Sequence, residues 1–492
     1  MSSQRKKARV TTKTTIDSLP DEVMCMIFNR LHEYDVKSAS QTCHRWNNII
    51  FRSNYVSRLK LKINLKNVEA VSKSQRCYRN VKWAVYDQET LSMWGTIHPK
   101  ITNNLHSLEI TCTKQQSTPS TIALISESVP LMTQLRSLAF IDNIRDTFDQ
   151  DITPTLRSNS ITRFKFISNF KIRVDMPELQ VFEGNLSALS TPDECIQQPA
   201  LDKLKELTVS RYNLQSDASL NLQISIAAAK SIFRRLPNIK KMTWDIRVEG
   251  AICDAICEMC TTLEELSFDY GMNADVNVAN LNKLKHLQSL RLWAIRFDRE
   301  TQFTDSVFDW SKLTQIEDIF LGYEVRDALK LPRSVKRLEV CIDSDNEESV
   351  IKTITNSAAH LKELKVVISD RDGDGMDYDE PIELLKALSR LKHLEVLTFY
   401  QGLFLESSFQ RMKAPLVRLH KLRFYDAQLK TSKSVREIQG MSVSSYKFRA
   451  LKKRFPKLKE PEYSECSLQP DIGSDSEYDS SCLSDSDEYY KC

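Results

Sequence analysis

Glycine is scarce: 10 residues in a chain of 492, well under the usual share of roughly 7%. Neither GxGxxG nor GxxxxGKS/T occurs. Without such loops, backbone amides have no ready way to approach a phosphate, which argues against a nucleotide-using enzyme. The eight histidines form no HExxH, and no serine or cysteine nucleophile motif is present, so catalysis has no residue to rest on. No run approaches the ~18 consecutive apolar residues of a membrane span. The opening stretch MSSQRKKARVTTKTT lacks the apolar segment of a secretory signal. A cytoplasmic or nuclear chain is therefore expected, with its twelve cysteines reduced.

Charge is balanced overall at +4 but unevenly placed. Arg5, Lys6, Lys7, Arg9 and Lys13 all precede the first acid, Asp17. From Pro461 onward nine acids stand against one base, Lys491. The middle is only mildly basic, so no nucleic-acid partner is expected.

What the chain does contain is a repeat. The pattern apolar-x-x-apolar-x-apolar occurs thirteen times, from LHSLEI at Leu105 to LHKLRF at Leu419. The mean spacing is about 26 residues, within the leucine-rich-repeat range. VSRLKL from Val56 and VKWAVY from Val81 read as two further, degenerate copies. In an extended segment, side chains alternate between faces. The last two apolar residues of each copy, such as Leu266 and Phe268, therefore share one inward face. Between copies lie stretches with a helical apolar stripe, such as ISIAAAKSIFRRL (Ile224 to Leu236), ESVIKTITNSAAHL (Glu348 to Leu361) and EPIELLKALSRL (Glu380 to Leu391). One strand plus one helix cannot bury its apolar side alone, and stacking the copies builds a continuous core. The expected fold is an α/β solenoid with parallel strands on its concave face and helices on its convex face. The asparagine or cysteine that usually follows such a strand is mostly missing. Asn143 and Asn169 fit, whereas Thr113, Gly271, Ile295 and Glu324 do not, so the repeat is irregular.

Ahead of the repeats lies IDSLPDEVMCMIFNRLHEYDVKSASQTCHRWNNIIFR, residues 16–52. Pro20 suits the start of a helix, and Asp21 and Glu22 favour its positive end. Val23, Met24, Ile27, Phe28 and Leu31 recur at helical spacing on one face. Asp35 is placed to cap a second helix with Val36, Ala39 and Cys43 inward, and a third carries Trp46, Ile49 and Ile50. Leu19-Pro20-Asp21-Glu22, Ile27-Phe28, Leu31, Asp35-Val36, Ala39, Cys43 and Arg45-Trp46 together resemble the F-box. With the repeats, the chain resembles the F-box/leucine-rich-repeat family. That resemblance implies a non-catalytic substrate receptor of a cullin–RING ubiquitin ligase. It implies docking on the Skp adaptor, and through it on cullin and RING subunits, by Leu19, Pro20, Ile27, Phe28 and Val36. Position 36 is valine where the family often has leucine. The alternative is a non-ligase interaction scaffold that uses the repeats alone. The expected organisation is a basic tail over 1–14, the F-box over 15–55, the repeats over 56–458 and an acidic, serine-rich tail over 459–492.

Residues alternating with the inward ones face solvent on the strands. Aromatics and arginine are the usual anchors of a protein interface. Arg291, Trp293, Phe320, Tyr400, Arg423 and Tyr425 are accordingly the expected contacts to a protein substrate, with Trp293–Phe320 and Tyr400–Tyr425 as neighbouring pairs. In the acidic tail, Ser474, Ser476 and Ser484 each have an acid three residues later, a pattern for an acid-directed kinase. DRDGDGMDYDE (Asp370 to Glu380) has the start of a calcium loop, but Pro381 stands where the bidentate glutamate is needed. Cys253, Cys257 and Cys260 share one helical face without a second ligand pair, which reads as packing. No metal or cofactor is expected.

Overall fold

A computed structural model describes residues 15–52, 59–74, 76–113, 117–142, 153–168, 170–190, 201–210, 225–270, 272, 276–293, 310–322, 327–343, 346–368, 381–405, 408–431 and 449–470. The expectations for the basic tail, for the acidic tail beyond 470, for Asn143 and Asn169, for Asp370 to Glu380, and for Ser474, Ser476 and Ser484 lie outside these residues. The chain divides into two compact units, Met1–Asp217 and Ala218–Cys492.

The first unit begins with three helices: α1 (Asp21–Arg30), α2 (Glu33–Ser40) and α3 (His44–Arg52). Parallel strands follow at Lys60–Ile63, Asn80–Val85, Ser107–Cys112, Ser137–Asp142, Arg163–Ile167, Val181–Gly184 and Glu206–Ser210, and neighbours in this order pair. The second unit continues the pattern with Lys241–Asp245, Glu265–Phe268, Ser289–Leu292, Asp318–Leu321, Arg337–Ile342, Glu363–Ile368, Val396–Tyr400 and Lys421–Tyr425. These too pair in parallel, each with the next. Every one of the thirteen repeat copies thus supplies a strand. Helices or 3-10 turns lie in most of the connections, as at Ile226–Arg234, Gly250–Met259, Glu347–Asn356 and Ile382–Leu388, whereas those leading into Arg163, Val181 and Arg337 hold none among the described residues. This is the architecture of a leucine-rich-repeat-like solenoid.

The register follows from burial. In Glu363–Ile368, Leu364, Val366 and Ile368 are buried while the residues between them are half-exposed. Cross-strand pairs such as Leu338 with Leu364 and Leu364 with Leu397 place like on like. At the end of the incomplete copy LQVFEG stands Gly184, with φ +152°. A Cβ there would lie 2.2 Å from the Phe166 carbonyl oxygen, so no side chain fits this close strand approach.

Three expectations change. The two degenerate copies do form strands, but in a different frame. Val81 pairs with Leu108 and Trp83 with Ile110, so Val81 occupies the second apolar slot and not the first. In the same way Leu61 pairs with Val81. Second, the ladder does not stop at 458. Glu462–Ser464 pairs with the strand Lys421–Tyr425, and Ser467–Pro470 pairs with Gln428–Thr431. Tyr463 stacks on Phe424 with ring centroids 5.6 Å apart. The segment beginning at Leu458 is a further copy with Pro461 and Tyr463 in the apolar slots. Third, α2 starts at Glu33, two residues before the expected cap Asp35, and Cys43 is exposed rather than inward.

One inward position is polar. Asp142 closes the strand Ser137–Asp142, is almost fully buried, and accepts a hydrogen bond of 2.9 Å from the Ser168 hydroxyl. Burial pushes its carboxyl up to about 6, against the opposing effect of the hydrogen bond from Ser168. The folded chain therefore holds this proton more tightly than the unfolded chain does. Its ionisation costs stability as pH rises from about 4 to about 6, and the whole cost is present above that. Asp142→Asn should raise stability by about 3 kcal/mol at pH 7.5 and by only about 0.5 kcal/mol at pH 4. Denaturant unfolding at the two pH values checks this.

Candidate functional site

The amino-terminal module is built around Met24, Phe28, Val36, Ala39, Ile49 and Ile50, with Leu19, Leu31 and Trp46 packed against them. Trp46 meets Phe28 edge-on, with centroids 5.4 Å apart. Arg45 closes the module at its other side. Its guanidinium donates to the Asp21 carboxylate at 2.7 Å, to the Leu19 carbonyl at 2.5 Å and to the Asp17 carbonyl. The Arg45-Trp46 pair thus serves the fold, since the tryptophan fills the core and the arginine pins the entry to α1. Arg45→Ala should destabilise this module by about 1–3 kcal/mol, because two backbone carbonyls and a carboxylate lose a charged donor. A thermal melt of the full chain, read by amide exchange in α1, checks it.

The expected adaptor contacts separate into two groups. Pro20 is exposed, Leu19 is partly buried, and Ile27 is 36% exposed. Phe28 and Val36 are core residues with almost no accessible surface, so they support a docking surface but cannot be part of one. Residues that the motif does not mark take their place. Met26 is 68% exposed, and Val23 also faces solvent. With Ile27 they lie at i, i+3 and i+4 on one face of α1. Ile16 and Tyr34 add exposed apolar surface on the same module. Apolar residues at 23, 24, 26, 27, 28 and 31 occupy both faces of this short helix. Two faces needing cover was the signal available in the sequence.

The second candidate surface is the open face of the strands in the second unit. Register brings together Ser267, Arg291, Phe320, Glu339, Lys365, Thr398 and Arg423 as one row across seven strands. Tyr400 and Tyr425 pair in the next row and stack with centroids 6.1 Å apart. Trp293 stacks on Phe320 at 5.3 Å with the rings 16° from parallel. Trp293 is 41% exposed and Tyr400 is half-exposed, while Tyr425 and Arg423 are partly covered. Phe320 departs from expectation: only 3% of its surface is accessible. The Trp293 ring covers one part of it, and the Arg291 guanidinium lies 4.3 Å from its centroid. Phe320 is the base on which Trp293 and Arg291 rest. Gly322 makes this possible, since a Cβ there would come within 2.6 Å of Trp293 and 2.9 Å of Phe320.

Charges on this face are paired. Glu339 meets Lys365 at 2.6 Å and Arg291 at 3.8 Å. Glu462 meets Arg423 at 3.0 Å and Lys421 at 3.1 Å, and both bases hold its carboxyl below the usual range. Lys365 also lies 5.4 Å from the centre of the Tyr400 ring. Each aromatic pair is therefore flanked by two cations sharing one anion. Such a surface offers flat rings and oriented donors to a polypeptide.

Cys253, Cys257 and Cys260 are fully buried. Burial, and then Cys257, pushes the Cys260 thiol up to about 12, as expected of a small apolar packing group. Among the described residues no helix is long and apolar enough to cross a membrane.

Comparison with known proteins bears on the amino-terminal module. An F-box-like family model matches residues 16–60. No curated protein matches the chain. Among solved structures, the chain is similar to the crystal structure of a TLR13–ssRNA13 complex, at 15% identity and a TM-score of 0.41. The likeness covers 84% of this chain and 52% of that one, so the chain spans about half the length of the protein it matches. Residues 16–60 are thus an F-box-like domain preceding a repeat region.

Proposed function

We propose that the chain is a substrate receptor of a cullin–RING ubiquitin ligase, with an adaptor on its amino-terminal helices and a protein substrate on the open face of its repeats. The observation that carries this reading is the match of residues 16–60 to an F-box-like domain whose first helix exposes Val23, Met26 and Ile27. A three-helix unit this small normally hides its apolar residues, so surplus exposed ones indicate a partner. The Skp adaptor is the partner that an F-box implies, and through it the cullin and RING subunits. The repeats would hold a substrate so that a ubiquitin-charged enzyme elsewhere in the assembly reaches its lysines. Proximity supplies the acceleration, and this chain performs no chemistry. Arg291, Trp293, Tyr400, Arg423 and Tyr425 are the proposed substrate contacts. Phe320 leaves that set and acts by holding Trp293 flat.

Affinity capture from cells, with and without proteasome inhibition, tests the division of labour. Trp293→Ala/Tyr400→Ala should still bring down the adaptor. It should lose the proteins whose capture by the wild type rises on inhibition. A receptor reading is wrong if neither form captures the adaptor. A pure scaffold would capture proteins that do not respond to proteasome inhibition.

A further inference from the structure

At three points in the second unit, a lysine just ahead of a strand meets an acid of the neighbouring repeat. Lys240 pairs with Glu264 at 2.5 Å, Lys336 with Glu317 at 2.5 Å and Lys362 with Glu395 at 3.6 Å. The last two repeats break this rule. Segments 410–420 and 451–459 lead into the strands Lys421–Tyr425 and Glu462–Ser464. Together they hold eight lysines and arginines and no aspartate or glutamate. The two segments lie side by side. The Leu416 amide donates to the Arg454 carbonyl at 2.8 Å, and the Arg454 guanidinium donates to the Gln410 carbonyl at 2.6 Å. The Phe409 and Phe455 rings are 6.1 Å apart between centroids. Leu416, Phe455 and Leu458 are buried and fix the backbone, whereas Arg411, Lys413, Arg418, Lys453, Lys457 and Lys459 are exposed.

Among the described residues, no ion pair joins any of these six bases to an acid. Glu462 is already held by Lys421 and Arg423, and Glu460, next to Lys459, is a single charge against six. Like charges gathered on one rim repel one another, at a cost that an arriving anion removes.

We infer that the acidic segment 471–492 of the same chain docks on this rim. It carries seven acids against one base, Lys491, with Tyr478, Leu483, Tyr489 and Tyr490 among them. Val417, 49% exposed between Lys413 and Arg418, offers one of these rings an apolar contact. Reach is sufficient whatever path the chain takes. Eleven residues separate Lys459 from Pro470, so the two are at most about 40 Å apart, and the 22 residues after Pro470 span up to about 70 Å. A tethered anion is present at an effective concentration of about millimolar. A nucleic acid or an anionic membrane, arriving from dilute solution, has to displace it. Docking also answers a need of the fold, since the last unit of a repeat array requires polar cover and the inward Tyr463 is left half-buried. This inference does not depend on the receptor reading and stands or fails apart from it.

Carbodiimide crosslinking of the full chain, mapped by mass spectrometry, tests it, because the reagent joins a lysine to a carboxylate only in direct contact. At about 0.1 M salt, acids of 471–492 should link to Lys413, Lys453, Lys457 and Lys459. These links should be at least fivefold more frequent than links to Lys285 and Lys330, which are exposed elsewhere in the second unit. At about 1 M salt, where screening acts within about 3 Å, that preference should disappear, a comparison that needs no variant to fold. An equal mixture of unlabelled and nitrogen-15 chains should give links within single chains only. Arg411→Glu/Arg418→Glu/Lys457→Glu should cut the links at Lys413, Lys453 and Lys459 at least fivefold. Links spread evenly over Lys285 and Lys330, or indifferent to the variant, would overturn the assignment. Links between light and heavy chains would overturn it in favour of a second copy. Loss of the links on adding an equimolar single-stranded oligonucleotide, or phosphatidylserine vesicles, would overturn it in favour of that polyanion.

Discussion

Ile27→Asp should abolish capture of the Skp adaptor by the full-length chain while leaving thermal unfolding unchanged. Ile27 lies beside Val23 and Met26 on the solvent face of α1 and is only partly covered by its own module. A carboxylate there meets water in the free chain at little cost. In a docked complex it would be buried against apolar surface without a partner, which costs several kcal/mol. A loss of at least about 100-fold in affinity, or about 3 kcal/mol, is expected. Phe28→Ala, one residue on, should behave differently. Its side chain fills the module core between Met24 and Trp46, so it should lower stability by about 3–5 kcal/mol and lose the adaptor through unfolding. Pull-downs paired with melting curves separate the two outcomes. If Ile27→Asp binds like wild type, α1 is not the docking surface.

The second large effect lies at the carboxyl-terminal end of the ladder. Phe424 is fully buried and touches four other rings: Phe399 at 5.7 Å, Phe404 at 5.3 Å, Phe409 at 6.2 Å and Tyr463 at 5.6 Å between centroids. Phe424→Ala removes the ring that the others share and leaves a cavity that flat aromatics cannot refill by small shifts. A loss of about 3–5 kcal/mol is expected. In a repeat protein each copy is stabilised by its neighbours, so the loss should appear as early unfolding of the last few strands. Tyr425→Ala, next in the sequence but on the open face, should cost about 1 kcal/mol or less. Amide exchange across 396–470 should show accelerated opening for Phe424→Ala alone. Equal effects for the two variants would mean the side-chain alternation is wrong.

How much of this was legible in the sequence depended on whether a local pattern had one solution. LHKLRF at Leu419 has a single way to place three apolar residues on one side, and its strand falls where the pattern puts it. NVKWAV has two, because Val81, Trp83 and Val85 are all apolar and alternate. The six-residue window slipped there, and only pairing with Leu108 and Ile110 fixes the frame. The copy at Leu458 was invisible because Pro461 breaks the pattern and Tyr463 replaces an aliphatic residue. Its place is secured by stacking on Phe424, a contact 39 residues away in the chain.

The sites followed the same logic. Alternation correctly brought Trp293 beside Phe320 and Tyr400 beside Tyr425. It could not reveal that Trp293 and Arg291 bury Phe320, because burial on an open face depends on how side chains from adjacent strands lean. In the amino-terminal helices the family pattern marked Phe28 and Val36, but motif residues are kept for folding as well as for docking. Only the packing of α1 against α3 separates Ile27 from Phe28.

Hydrogen–deuterium exchange of the full chain, alone and saturated with the purified Skp adaptor, tests the central claim most directly. The account predicts slowed exchange over residues 16–40, strongest in α1, and no change in the strands from Lys241 to Tyr425. Unchanged exchange in α1, or protection that falls on the repeat strands instead, would contradict it.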